Sequence, residues 1–182
     1  AGLVSSYIAA AVKAKVTLVE KHQMGGDCLN TGCVPSKALI KTARVIATMK
    51  KAEKYGLKPG RAEFDFAEVM ERVQRVVKTI EPHDSVERFT GLGVECIKGD
   101  ARITTPWTVE IKSPDGEKRT LSTRSIVIAA GAEPFVPPIP GIEKMSCYTS
   151  ENIWGIRTLP RRLVGLGGGP IGSELAQAFA RF

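Results

Sequence analysis

Residues 25–37 read Gly-Gly-Asp-Cys-Leu-Asn-Thr-Gly-Cys-Val-Pro-Ser-Lys, and the rest of the chain is organised around them. Cys28 and Cys33 stand five positions apart, with Asn30 and Gly32 between them, and the Val-Pro-Ser-Lys run that follows has the form of a helix entry. Pro35 suits the first turn of a helix because its missing N–H would have no partner there. Leu39, Ala43, Ile46 and Met49 then recur at helical spacing and predict a buried face. Cys33 is therefore expected at or just before a helix N-terminus. Unsatisfied N–H groups and the positive end of the macrodipole favour a thiolate over a thiol at such a place. A redox-active dithiol is the first reading of the pair.

Zinc and a structural disulfide are the alternatives. Two cysteines at this spacing form at most half a zinc site, and no second Cys or His cluster accompanies them. A structural disulfide suits a secreted protein, yet the chain has only four cysteines in 182 residues. The other two, Cys96 and Cys147, are isolated thiols in apolar surroundings and read as buried packing residues.

Extended to residues 25–39, G-G-D-C-L-N-T-G-C-V-P-S-K-A-L, the stretch resembles the active-site signature of the class I, flavin-dependent pyridine nucleotide-disulfide oxidoreductases. The likeness is nearest to the dihydrolipoamide dehydrogenase and mercuric reductase branch, whose pattern also continues Pro-Ser-Lys. Further motifs at Glu20, at 129–131 and at 167–172 fall in that family's order, so the resemblance spans the chain. It implies an α/β protein: a Rossmann-like FAD-binding domain with a small antiparallel β-meander, over residues 1–143, then a linker and the start of a second Rossmann-like, NAD(P)-binding domain over 144–182.

The same resemblance implies what the residues do. NADH or NADPH would reduce FAD, FAD would reduce the Cys28–Cys33 disulfide through Cys33, and Cys28 would exchange with a small-molecule disulfide or dithiol, or ligate a soft metal ion. Flavin contacts carry over to Gly2, Glu20, Lys21 and Gly26 early in the chain, to Lys37 beside the dithiol, and to Ala101, Ala130 and Gly131 later. Nicotinamide-nucleotide contacts carry over to Gly167, Gly169, Gly172 and Glu174. A cytoplasmic enzyme that is a homodimer at full length is expected. The family's His-Glu acid-base pair, and the terminal cysteines of mercuric reductase, belong to a C-terminal dimerisation domain absent from these residues.

Composition sets wider bounds. A chain of 182 residues, 43% hydrophobic, can bury a sizeable core. No apolar run approaches the roughly 18 to 20 residues of a membrane span, and no signal peptide is evident. Lys and Arg number 26 against 19 Asp and Glu, a net charge of +7 that suits anionic cofactors. Nucleic acid is disfavoured: basic residues are spread, aromatics are 6%, and Lys41, Arg44, Lys50, Lys51 and Lys54 read as the solvated face of one helix.

Along the chain, 3–12 predicts a helix and 16–19 a β-branched strand ending in Glu20. An acidic residue about 20 positions after a glycine turn accepts ribose hydroxyls in dinucleotide folds. Gly2 then reads as the last glycine of a G-x-G-x-x-G whose first part, with its central strand, lies ahead of Ala1. His22 reads as a solvated loop residue, and His83 has no second ligand or base partner nearby. Asp65 and Glu68 predict a capped helix with Phe66, Val69, Met70, Val73, Val77 and Ile80 on its core face, ended by Pro82. A short helix over Val86 and Phe89 follows.

From Val94 the period becomes two, and strands at 94–97, 107–112, 118–121 and 125–130, with a turn at 113–116, predict the meander. The last of these ends in Ala129-Ala130-Gly131, where the family has Ala-Thr-Gly, so any hydroxyl contact is lost while close backbone approach remains. Pro134, Pro137, Pro138, Pro140 and Gly141 make a stiff connection. Beyond it a strand at 162–166 leads into Gly167-Gly168-Gly169-Pro170-Ile171-Gly172 and a helix, the strand-turn-helix context a second dinucleotide site requires. The residue separating NAD from NADP is expected past Phe182. Two other classes stay open: a flavin or nicotinamide reductase whose cysteines are incidental, and a non-catalytic binding module.

Overall fold

The computed structural model describes residues 1–182, and the chain divides into two compact units: Ala1–Gly26 with Ile80–Ala132, and Asp27–Thr79 with Glu133–Phe182.

In the first unit the alanine-rich start forms helix α1 (Gly2–Ala11), followed by strand β1 (Val16–Glu20). Helix α5 (Val86–Gly91) begins on Ser85, whose hydroxyl accepts the Arg88 N–H at 3.2 Å, and leads into β2 (Val94–Lys98). β2 pairs with β1 in parallel, from Val16 opposite Val94 to Glu20 opposite Lys98. Ala10, Phe89 and Val94 are buried between helices and strands, with Leu3, Val16, Leu18 and Met24 packed on them. A parallel pair needs a long crossover and covered faces, which is the Rossmann-like α/β arrangement.

β2 therefore does not belong to the meander, where the alternation at 94–97 had put it. The meander is β3 (Asp100–Thr105), β4 (Thr108–Lys112) and β5 (Lys118–Ser122), antiparallel in that order. β3 escaped the sequence pattern because all of its residues are exposed. The β4–β5 turn is as expected, with the Gly116 N–H donating to the Ser113 carbonyl at 2.9 Å and φ of 91° at Gly116. Gly99 joins β2 to β3 under tight constraint, since a Cβ there would lie 2.8 Å from the Lys112 carbonyl oxygen.

The strand expected at 125–130 is not formed. The parallel sheet holds only β1 and β2, so no strand of residues 1–182 offers the run a ladder, and Val127 and Ile128 are 68% and 77% exposed. Cys96 is half-buried beside Val94, and burial pushes its thiol up, against a weaker opposing bond from Thr90. Cys147 is exposed, so the packing role expected for it is not borne out.

Across the parallel pair, the Thr17 hydroxyl donates to Glu95 at 2.9 Å and Arg119 lies 2.8 Å from its other oxygen. Thr17 first, then Arg119, hold the Glu95 carboxyl below the usual carboxylate range. A depressed folded pKa contributes stability that is present above the unfolded value and lost as pH falls through the folded one. Thr17→Val is therefore expected to cost stability at neutral pH and to flatten the loss between neutrality and acid, which denaturant melts across that range would measure.

The second unit is built on α3 (Cys33–Lys50), α4 (Phe66–Ile80) and α6 (Pro170–Phe179). Leu39, Ala43, Met70 and Val73 are wholly buried, joined by Phe66, Val69, Ile153, Trp154 and Ala178. Asp65 caps α4 by accepting the Ala67 N–H at 2.9 Å, and Arg72 reaches from α4 to the Ala38 carbonyl of α3 at 2.9 Å. Phe66 meets Phe182 edge-on, with ring centres 5.5 Å apart. Lys41, Arg44 and Lys50 lie on the exposed side of α3, while Met49, expected on the core face, is 38% exposed in its last turn. As at 125–130, no strand forms at 162–166, where Val164 is 81% exposed and no partner strand exists in residues 1–182. No helix is long and apolar enough to cross a membrane.

Candidate active site

Cys28 lies on the short helix α2 (Gly26–Asn30), and Cys33 is the first residue of α3 with Gly32 as its N-cap. Both cysteines are exposed. Between them the chain makes a tight corner. The Thr31 N–H donates to the Asp27 carbonyl at 3.0 Å, and the Ser36 N–H closes the first turn of α3 on the Gly32 carbonyl at 3.1 Å. Gly32 is required by close approach: a Cβ there would sit 2.8 Å from the Asp27 oxygen and 3.3 Å from its carbonyl carbon. Pro35 is buried in the first turn of α3, where its lack of an N–H costs nothing.

Two contacts at this corner join residues far apart in the sequence. Trp154, only 5% exposed, donates its indole N–H to the Thr31 carbonyl at 2.9 Å and to the Ser150 carbonyl at 2.7 Å. Lys37 lies one helical turn after Cys33, so its stem leaves the same side of α3, and its ammonium bonds the Glu174 carboxylate at 2.6 Å. Lys37 and Glu174, expected at different nucleotides, are thus brought together. Their side chains are 60% and 44% exposed, and such surface pairs contribute little to stability. The consequence of the pair is placement of the ammonium.

The early nucleotide residues lie in the first unit. Gly2 opens α1, and a Cβ on it would come 3.3 Å from the Ala129 Cβ and 3.7 Å from Leu18, which matches the helix-to-strand packing asked of the last fingerprint glycine. Ala130 is exposed, and Gly131 has φ of 72°, open to glycine and strained for other residues. Glu20 ends β1, with its carboxylate accepting the His22 N–H at 2.8 Å and its carbonyl accepting the Gly99 N–H at 3.0 Å. Lys21 pairs with Asp100 at 3.2 Å, next to Ala101 on β3. Gly25 and Gly26, with φ of 97° and 56°, make the left-handed step into α2. His22 and His83 are exposed; Arg88 bonds the His83 carbonyl at 2.7 Å.

The second glycine turn lies in the other unit and opens α6 as expected. Gly167 has φ of 91°, Gly169 is the N-cap, and Pro170 occupies the first turn. Gly172 approaches the Gly167 carbonyl so closely that a Cβ would lie 2.8 Å from its oxygen. Gly168 and Gly169 have open space where a Cβ would stand. Exposed backbone at the start of a ten-residue helix suits a pyrophosphate. Open space in the second glycine turn thus lies at its middle glycines, while Gly2 and Gly172 are held by close packing.

Comparison with known proteins gives a consistent result. The family model described as pyridine nucleotide-disulphide oxidoreductase matches residues 1–182. The chain is 36% identical over 186 residues to a dihydrolipoyl dehydrogenase of Acholeplasma laidlawii, covering 100% of this chain and 54% of that one. It is 35% identical over 166 residues to a mercuric reductase of Lysinibacillus sphaericus, covering 91% of this chain and 30% of the relative. The copper(II) complex of RclA, an HOCl-induced flavoprotein disulfide reductase of Escherichia coli, is similar in structure with a TM-score of 0.80 and 28% identity, over 100% of this chain and 38% of that one. LpdA of Mycobacterium tuberculosis, at 20% identity and a TM-score of 0.78, covering 99% and 39%, shares the fold. The chain spans about a third to a half of the length of the curated relatives it matches.

Proposed function

The chain belongs to the pyridine nucleotide-disulphide oxidoreductase family, matched over all of residues 1–182, and on that premise we propose that the whole protein carries electrons from NADH or NADPH, through FAD, to a Cys28–Cys33 disulfide. From there they leave to a small-molecule disulfide or to a soft metal ion. One observation carries the proposal. Cys33 opens α3, exposed Cys28 precedes it across a corner only glycine can make, and the Lys37 ammonium sits one turn along, tied to Glu174.

Residues 1–143 would form most of the flavin domain and 144–182 the linker and start of the nicotinamide domain. Gly2, Gly26, Ala101, Ala130 and Gly131 would hold FAD through backbone, Glu20 its ribose hydroxyls, and Lys21 and Lys37 its anionic and electron-rich parts. Gly167, Gly169 and Gly172 would take the NAD or NADP pyrophosphate. When bound, FAD supplies a two-electron relay between a nicotinamide and a disulfide.

The chain's own residues complete the exchange. With both cysteines reduced, the Cys28 thiolate attacks one sulfur of the substrate disulfide, forming a mixed disulfide and releasing the other sulfur as a thiolate that takes up a proton. The Cys33 thiolate then attacks Cys28, re-forming the Cys28–Cys33 bond and releasing the second substrate thiol. Two electrons and two protons pass to the substrate. For a soft metal ion the same two thiolates are the ligands. The Lys37 ammonium supplies a fixed positive charge on the Cys33 side of α3, and Glu174 holds it there. A cytoplasmic homodimer is the form we propose for the whole protein.

Thiol titration separates this chemistry from that of a reductase with incidental cysteines. In the whole protein, anaerobic NADH or NADPH is expected to add two alkylatable thiols per chain, at Cys28 and Cys33. Reduction of flavin with no new thiol at either cysteine sinks the proposal.

A further inference from the structure

We propose that Trp154 is a positioning residue for the dithiol, setting through the Thr31 carbonyl how readily Cys28 and Cys33 close into a disulfide; the assignment rests on the dithiol chemistry proposed above. The indole N–H is the only polar group of the Trp154 side chain, and it is shared between the Thr31 and Ser150 carbonyls at 2.9 and 2.7 Å. Thr31 lies two residues before Cys33 and three after Cys28, inside the loop that the disulfide would close. The Thr31 N–H is already bound to Asp27 at 3.0 Å, so the indole fixes the other side of the same residue. Trp154 itself is 5% exposed and packed in the core with Leu39, Met70 and Val73, and its own carbonyl accepts from Gln74 at 3.4 Å. The clamp is thus anchored in the rigid part of the unit, with its donor on the redox loop.

A clamp of this kind acts unequally on the two redox states. In the dithiol the loop is held only by its hydrogen bonds, whereas in the disulfide the covalent bond holds it as well. Fixing the Thr31 carbonyl removes freedom chiefly from the dithiol, so it lowers the entropy lost on closure and favours the disulfide. Closing the pair forms one S–S bond and releases two electrons and two protons. In a glutathione buffer, oxidised glutathione accepts both electrons and both protons and becomes two molecules of the thiol.

The experiment equilibrates the full-length protein in glutathione buffers of graded ratio and reads Cys28 and Cys33 by alkylation and mass spectrometry. Trp154→Phe, which keeps an aromatic ring and loses the donor, is expected to lower the equilibrium constant for the disulfide about fivefold, the scale of one hydrogen bond, or about 20 mV for a two-electron couple. Val73→Ala thins the same core without touching the bond and is expected to leave the constant unchanged. An unchanged or raised constant in Trp154→Phe, or an equal fall in Val73→Ala, overturns the assignment. A second measurement does not depend on Trp154→Phe folding. In Trp107→Phe, which removes the other, 62% exposed tryptophan, Trp154 emission is expected to change on oxidation of the pair and not in an added Cys28→Ser variant. Emission that ignores the redox state overturns the assignment as well. If the parent protein forms no Cys28–Cys33 disulfide in any buffer, the proposed dithiol chemistry fails and the role of Trp154 fails with it; a normal parent titration with an unmoved Trp154→Phe isolates failure to Trp154 alone.

Discussion

Cys28→Ser and Cys33→Ser should each lower NAD(P)H-dependent turnover of a disulfide substrate by about a thousandfold or more in the whole protein, because a serine hydroxyl can neither form nor break the S–S bonds the exchange requires. The two variants should differ in what they retain. Electron transfer to a soluble dye that takes electrons directly from reduced flavin needs neither sulfur, so it should survive in both. Cys28 lies on α2 and precedes the glycine corner, while Cys33 is fixed as the first residue of α3. The single remaining sulfur should therefore behave differently in each case. Cys33→Ser leaves Cys28 able to attack a substrate disulfide and stop as a mixed disulfide, whereas Cys28→Ser leaves Cys33 to face the flavin. On partial reduction the long-wavelength absorption of a thiolate against flavin should persist or strengthen in Cys28→Ser and vanish in Cys33→Ser. The opposite pattern reverses the two roles; full disulfide turnover in both would mean that the cysteines are incidental.

What could be read from the sequence was what is written locally. The 25–39 signature placed Cys33 at the head of α3, the Asp65 cap and apolar spacing marked α4, and Ser113-Pro114-Asp115-Gly116 marked the turn between β4 and β5. Each of these depends on neighbours within a few positions. The misreadings concern strands, for a physical reason. A strand is a property of a pair, so 125–130 and 162–166 have strand composition and no ladder, whereas fully exposed β3 has a ladder and little composition to announce it. For the same reason 94–97 was attached to its neighbours in sequence, when its hydrogen bonds run to β1, some 78 positions away in the Thr17–Glu95 contact.

The site divides in the same way. The cysteines and glycines are legible because each has a stereochemical demand of its own, a helix start or a missing Cβ. The Lys37–Glu174 and Trp154–Thr31 contacts are not, because they join residues 137 and 123 positions apart. Nothing in Ile153-Trp154-Gly155 marks the tryptophan as other than core, and it is indeed core; its second role lies in one N–H.

That α3 begins at Cys33 and also supplies much of the second core leads to the other large effect. Leu39 is wholly buried, six residues after Cys33 and two after Lys37, on the face of α3 that packs with Met70 and Val73 of α4. Removing its side chain to the β-carbon deletes apolar contact and leaves a cavity among neighbours that are themselves fixed. Leu39→Ala is expected to destabilise the protein by about 2 to 5 kcal/mol, a large part of the 5 to 15 kcal/mol typical of a domain. Lys41→Ala, on the exposed side of the same helix, should change stability by no more than about 0.5 kcal/mol. Denaturant melts of the two variants give the comparison directly. The helix also transmits the loss: Cys33 and Lys37 occupy the first two turns of α3 and are exposed, so loosening Leu39 is expected to weaken the N-terminal end of the helix first. Native-state hydrogen exchange should then show the Ser36-to-Gly32 amide bond opening in Leu39→Ala at denaturant concentrations where Lys41→Ala keeps it closed. A Leu39→Ala protein as stable as its Lys41→Ala counterpart, with α3 amides equally protected, would mean that the N-terminal end of α3 is held by something other than this core.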